Sequence, residues 1–197
     1  MFKEIVRTAI LILFFSSPSH AEPEPCESLP YTRAAFGVWA VENQISVRTD
    51  LLVRLATDPK LVRMLSNKVV SGKWYDPYSD RNLYDADEVE IDHIVPLSWA
   101  WAHGASCWSR EKRREFHNDQ KFLVPMAASL NSKKGAKIPG EWSPPVTRAR
   151  CGYIIKFARA VRIYGFDIPQ SERDRLNRVG KDWCGERFST TFLDAGS

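Results

Sequence analysis

"EVEIDHIVP", residues 88–96, sets an acid beside a histidine at the end of an alternating run, and a proline closes it three residues on. A period of two places Glu88, Glu90 and Asp92 on one face of a strand, with Val89 and Ile91 on the other. Acidic residues are poor strand formers, so acids repeated on one face call for a reason beyond local preference. Adjacent strand side chains point to opposite faces, so Asp92 and His93 are badly placed to be two ligands of one ion. They are better placed to act from two sides of one reacting group. An aspartate is a hard oxygen ligand. A histidine, with an unperturbed pKa of about 6.5, can take a proton from water near neutral pH.

On the N-terminal side, residues 46–66 predict two helices, divided where Asp58 supplies an N-cap and Pro59 a first helical position. Residues 69–84, "VVSGKWYDPYSDRNLY", alternate around Asp76-Pro77 and Ser79-Asp80 and predict a hairpin or meander. On the C-terminal side the expectation is a short helix stopped at Gly104, then a charged helix from Ser109 to Phe116. A turn at "HNDQ" and a short strand at "KFLVPM" follow, and after them a helix ending near Gly135. Cys151 to Tyr164 predicts a longer helix stopped by Gly165, with Ile154, Ile155, Ala158 and Val161 as its apolar side. Pro169 opens a last helix. Helices around a little sheet make the fold class α+β.

The chain begins with Lys3 and Arg7 ahead of an apolar run, Ala9 to Phe15, and then small residues at Ser19 and Ala21. That is the layout of a cleaved secretory signal peptide, residues 1–21, whose apolar run falls well short of the roughly 20 residues of a membrane span. No other stretch is apolar enough to span a bilayer, so no membrane association is expected after cleavage. Removing 21 of 197 residues leaves 176, the size of one domain with its own core, 22–197. The leader carries Lys3, Arg7 and Glu4, so the +4 of the whole chain falls to +3. A mildly basic chain permits a polyanionic partner without requiring one.

Cys26, Cys107, Cys151 and Cys184 all lie in the exported part, and no two form a C-x-x-C pair. A structural zinc site is thereby disfavoured, and two disulfides in an oxidising compartment are expected. Of three connectivities the favoured one is Cys151–Cys184 with Cys26–Cys107, the first of which would tie a C-terminal helix pair, 151–184, together.

Three local signatures occur in order over 44 residues: "DHIVPL" (92–97), "ND" (118–119) and "NSKKG" (131–135). In this strand–loop–strand–helix setting they resemble the HNH endonucleases, whose ββα-metal unit grips one divalent cation against a scissile phosphate. The unit would span about residues 86–136. Further stretches, "SVRTDLL" (46–52), "SGKWYDPYSD" (71–80), "KGAKIPGEW" (134–142) and the cysteine-bounded helix pair, resemble secreted proteins related to the C-terminal part of GmrSD-type restriction enzymes. One departure is that the group's "KGDKDP" reads Lys134-Gly-Ala-Lys-Ile-Pro139, with two acids lost.

Carried over residue by residue, the resemblance implies His93 as general base and Asp92 and Asn131 as metal ligands. It implies Asn118 as the middle residue, which holds the base through a backbone carbonyl or positions the loop. An aspartate with an asparagine carbonyl favours Mg2+ or Mn2+, with Zn2+ or Ni2+ as alternatives. Arg48 matches an arginine of the group, with phosphate binding and an internal salt bridge equally open. Lys134 is open between phosphate contact and solvation. Arg113 and Arg114, in the basic run 110–114, are candidate contacts to a DNA backbone, although a charged helix is usually a solvated face. His103 and His117 are read as ordinary polar residues, and Trp74, Trp99 and Trp142 as core. The role of Glu90 stays open.

The function so implied is exported, metal-dependent hydrolysis of DNA phosphodiester bonds with little sequence preference, by a monomer acting on double-stranded DNA in the periplasm or outside the cell. The alternatives are a ribonuclease and a non-catalytic exported protein that binds nucleic acid or glycan on the same scaffold.

Overall fold

The computed structural model describes residues 30–189 apart from residue 43, together with Leu193. The expected signal peptide and Cys26 lie outside these residues. A single 3-10 turn, Arg33–Phe36, buries Phe36 completely and leads into a two-stranded ribbon, β1 (Val41–Glu42) with β2 (Ile45–Ser46). Helix α1 (Val47–Arg54) follows directly, its first turn capped by Ser46, whose hydroxyl accepts from the Thr49 amide at 3.1 Å.

The second helix expected within 46–66 does not form. Asp58 caps only one 3-10 turn, Pro59–Leu61, and the chain then enters β3 (Arg63–Leu65). Ser66 and Asn67 both take positive φ, 47° and 63°, and pair Leu65 with Lys68 across a two-residue hairpin. Strand pairing therefore overrides the local helical preference. β4 (Lys68–Asp76) runs between β3 and β5 (Arg81–Asp85) in an antiparallel three-stranded sheet. The Asp76-Pro77 turn predicted between the last two is present, and Asp76, 1 % exposed, accepts from the Tyr78 amide, the Ser79 hydroxyl and the Ala127 amide. The last of these bonds ties this sheet to the next.

β6 (Val89–His93) pairs antiparallel with β7 (Leu123–Ala127), in a register that opposes Asp92 to Val124 and His93 to Leu123. Glu88 ends a 3-10 turn before β6, so the acidic face holds Glu90 and Asp92 alone. Between these strands lie α2 (Leu97–Ala102) and α3 (Arg110–Asn118), and α4 (Ala128–Lys134) follows β7 and stops at Gly135. Trp74 sits in the core at 1 % exposure, with its indole N–H on the Leu52 carbonyl at 2.7 Å. Burying such a side chain contributes about 1.5–3 kcal/mol relative to leaving it in water.

α5 (Thr147–Tyr164) and α6 (Gln170–Cys184) form the C-terminal pair, with Ile154, Phe157, Ala158 and Val161 turned inward and Gly165 closing α5 in the left-handed region. Cys151 and Cys184 are joined, which stabilises the pair by about 2–4 kcal/mol. Cys107 is not a free thiol, but its expected partner Cys26 lies outside the described residues. The class is α+β with small antiparallel sheets. Among the described residues no helix is long and apolar enough to cross a membrane.

Candidate functional site

The end of β6 is enclosed from both sides. On one face Asp92, 6 % exposed, meets Lys134 from the last turn of α4, whose ammonium donates to Asp92 Oδ1 at 3.0 Å and to the His93 carbonyl at 3.1 Å. Lys134 is itself 0 % exposed. Asp92 Oδ2 is buried and has no hydrogen-bond partner. Burial lifts the Asp92 carboxyl to about 6, with the Lys134 charge opposing the rise and Glu90 adding to it.

On the other face His93 is also buried, and its Nε2 bonds the His117 carbonyl at 2.9 Å. A carbonyl only accepts, so Nε2 carries the hydrogen and Nδ1 keeps a lone pair. The ring stacks on the half-buried Trp39, centroids 5.5 Å apart and planes 14° apart, with the His117 ring at 4.9 Å. Burial pushes its pKa down to about 3, so the ring is neutral at physiological pH and able to accept a proton.

Asn131, one turn before Lys134 on α4, donates from Nδ2 to Glu90 Oε2 at 2.6 Å. That bond fixes the amide and leaves Oδ1 for another partner. Glu90 thus acquires a role, as the acid that orients Asn131. The residues Glu90, Asp92, His93 and Asn131 line one cavity of about 230 Å³ that also takes in Tyr31, Arg33 and Ala136. Neighbouring strand positions that face opposite ways therefore still serve one site, because the cavity lies across the end of the strand.

Other expected residues lie elsewhere or are differently engaged. Lys134 cannot contact a phosphate while it is fully buried against Asp92, because its charge is spent on balancing that carboxylate. Arg48 is held internally by the Ala86 and Val89 carbonyls at 3.1 and 3.0 Å, not by an acid. Arg113 donates to the carbonyls of Ala35 and Trp108, and its guanidinium lies over Trp101, so it braces the 3-10 turn instead of facing a ligand. Arg114 is exposed but lines a separate cleft with Gly37, Val38 and Arg110. Asn118 lends no carbonyl to His93. Its side chain accepts from the Ala40 amide at 2.7 Å and donates to the Arg114 carbonyl, pinning the segment that carries Trp39, while the carbonyl comes from His117 one residue earlier. Of the two missing acids, position 138 is a fully buried isoleucine in the core, and position 136 is an alanine on the cavity wall.

Among the described residues no cluster of three or more His, Cys, Asp or Glu side chains is placed to hold a metal. The donors in the cavity nevertheless fit one hard divalent cation: a buried carboxylate oxygen without a partner, an oriented amide oxygen and a second carboxylate. Such ions commonly keep several waters and take only one or two protein carboxylates.

Residues 50–179 match the family model described as "GmrSD restriction endonucleases, C-terminal domain". A protein of Arthroderma benhamiae, described as an "Uncharacterized secreted protein", is 30 % identical over 152 residues, covering 76 % of this chain and 74 % of that one. No solved structure matches the chain.

Proposed function

We propose that this chain, which belongs to the family of GmrSD restriction endonuclease C-terminal domains, is an exported, metal-dependent HNH endonuclease that hydrolyses phosphodiester bonds of DNA. The observation that carries the reading is the convergence of Asp92, His93 and Asn131 on one cavity, with Asp92 Oδ2 unpartnered and the His93 tautomer set by a carbonyl. Asp92 and Asn131 would hold the cation, Mg2+ or Mn2+ by their oxygen chemistry. When bound, it supplies charge neutralisation at the phosphate and its leaving oxygen. His93 Nδ1 takes the proton of the attacking water, and a phosphate brought beside the ring raises its basicity from the low value that burial imposes. Glu90 keeps the Asn131 amide aimed, and Lys134 keeps Asp92 ionised. The secreted relative and the leader-like N-terminus support export.

The purified mature protein should nick and linearise plasmid DNA with Mg2+ or Mn2+ and do neither in EDTA. RNA and single-stranded DNA belong in the same assay, because substrate preference is what separates a DNase from a ribonuclease. Cleavage that survives exhaustive chelation would overturn the reading.

Metal binding should also depend on pH in a defined window. Protons and the cation compete for Asp92, whose carboxyl in the folded protein is raised to about 6. Above that value affinity should be level. Below it, affinity should fall by up to about tenfold per pH unit, with one proton released per ion bound. His93, neutral down to about 3, contributes nothing in this range. Calorimetry at pH 5 and pH 7.5 in buffers of different ionisation enthalpy measures both quantities, and equal affinity at the two values would remove Asp92 as a ligand.

A further inference from the structure

We infer that Arg33, on the N-terminal 3-10 turn, is the residue that binds the phosphate of the substrate in this cavity, an assignment that rests on the phosphodiester reading above. The cavity that holds Asp92, His93 and Asn131 is also lined by Arg33, which is exposed. Among the described residues no carboxylate lies within ion-pairing distance of it. Of the other cations that a phosphate might have met, Arg48 is engaged on two carbonyls, Arg113 on the turn itself and Lys134 on Asp92, while Arg114 lines a separate cleft.

The turn that presents Arg33 is held from beneath. Phe36, 0 % exposed, packs against Trp101 and Phe116 at centroid distances of 5.9 and 6.0 Å. Arg113 Nε donates to the Ala35 carbonyl at 2.9 Å, and Gly37 leaves the turn at φ 85°, in a region that disfavours side chains with a Cβ. Arg113 is therefore a positioning residue for Arg33. Tyr31, two residues earlier, lines the same cavity and is fixed edge-on to Trp101 at 6.3 Å. The positive charge of Arg33 is felt at Asp92, His93 and His117, which places it within electrostatic reach of both the proposed base and the proposed metal ligand.

The ligand chemistry follows from the guanidinium. Its planar fork can donate two parallel hydrogen bonds to the non-bridging oxygens of a phosphodiester, which a lysine ammonium cannot match. A mature chain of net charge +3 has a weak overall field, so one unpaired arginine at the site weighs heavily. It also stands where negative charge builds on the phosphate oxygens as water attacks, the location at which a fixed donor lowers the barrier.

The test uses the whole mature protein and a fluorescein-labelled DNA duplex. Arg33→Ala should lower kcat/KM for cleavage by about 10²-fold, the scale of one lost transition-state donor. In a His93→Ala background, where binding is measured without cleavage, adding Arg33→Ala should flatten the slope of log affinity against log salt by about one. Arg33→Lys should restore the slope but only part of the rate, a split that simple loss of fold would not produce. Arg63→Ala, an exposed cation on β3 outside the cavity, serves as the control for surface charge. Unchanged rate and slope in Arg33→Ala overturns the assignment even if the protein is a nuclease. If the parent protein cuts no nucleic acid with any metal, the endonuclease reading fails by itself, and the salt slope alone then decides for or against Arg33.

Discussion

Replacing His93 by alanine is expected to lower the rate of phosphodiester cleavage by about 10²–10⁴-fold, the usual contribution of a positioned proton acceptor, while leaving divalent-cation affinity nearly unchanged. The division follows from the two faces of β6. Asp92 turns to α4 and Lys134, whereas His93 turns to the His117 carbonyl and the Trp39 ring. Removing the imidazole takes away Nδ1 and its lone pair but none of the oxygens offered to a cation. Asp92→Ala should do the reverse and abolish cation binding first. Calorimetry on both variants, alongside single-turnover cleavage, separates the roles. If His93→Ala loses the cation as completely as Asp92→Ala does, His93 is a ligand and the proposed base must be sought elsewhere.

Lys134→Met is expected to destabilise the protein by about 3–5 kcal/mol near pH 8, because it leaves the Asp92 carboxylate buried with no opposing charge. Methionine keeps most of the volume, so a cavity is not the cause. The direction with pH discriminates this from a packing defect. The Asp92 pKa in the folded protein is already raised, to about 6, above the unfolded value, and losing Lys134 removes the interaction that holds it down. A carboxyl with a raised folded pKa binds more protons folded than unfolded, so stability falls as pH climbs through that interval. The deficit of Lys134→Met should therefore be largest above the new folded pKa and shrink towards pH 4. Urea denaturation at pH 5 and pH 8 measures this, and adding Asp92→Asn should recover most of the loss at pH 8. A single variant as stable as its parent at pH 8 would show that the pair does not bear on stability.

The elements that carry the site were readable locally. β6 alternates, α3 has its Ser109 cap, α4 ends on a glycine that adopts positive φ, and α5 shows one apolar face closed by Gly165. Each of these signals is contained within a few residues and needs no partner to be recognised. β3 was not readable, because Arg63–Leu65 becomes a strand only when Ser66 and Asn67 fold it back on β4. Met64 and Leu65 remain exposed there, so no burial pattern announces the strand.

The fate of each cation was the least legible feature. Nothing in "SVRTD" says that Arg48 ends on two carbonyls near the start of β6, and nothing in "KRREF" says that Arg113 reaches Ala35 across the fold. A guanidinium takes whichever acceptors lie within about 3 Å, and those belong to segments dozens of residues away. Arg33 was invisible for the same reason, since it lies far upstream of the three signatures and enters the site only through the packing of Phe36. Asn118 and His117 differ in sequence by one position, yet the backbone direction at the end of α3 decides which of them offers its carbonyl to His93.

By itself, then, the sequence determined the class of the fold, the strand that delivers Asp92 and His93 and the helix that brings Asn131, because these depend on periodicity, caps and short spacings. It left three cysteine pairings open, and the packing of α5 on α6 selected Cys151 with Cys184. Only the tertiary structure decided that Lys134 is buried on Asp92, that Glu90 orients Asn131 and that Arg33 lines the cavity. Those outcomes turn on desolvation and on distances between remote segments. A charged side chain in a sequence does not reveal whether water or another residue will answer it.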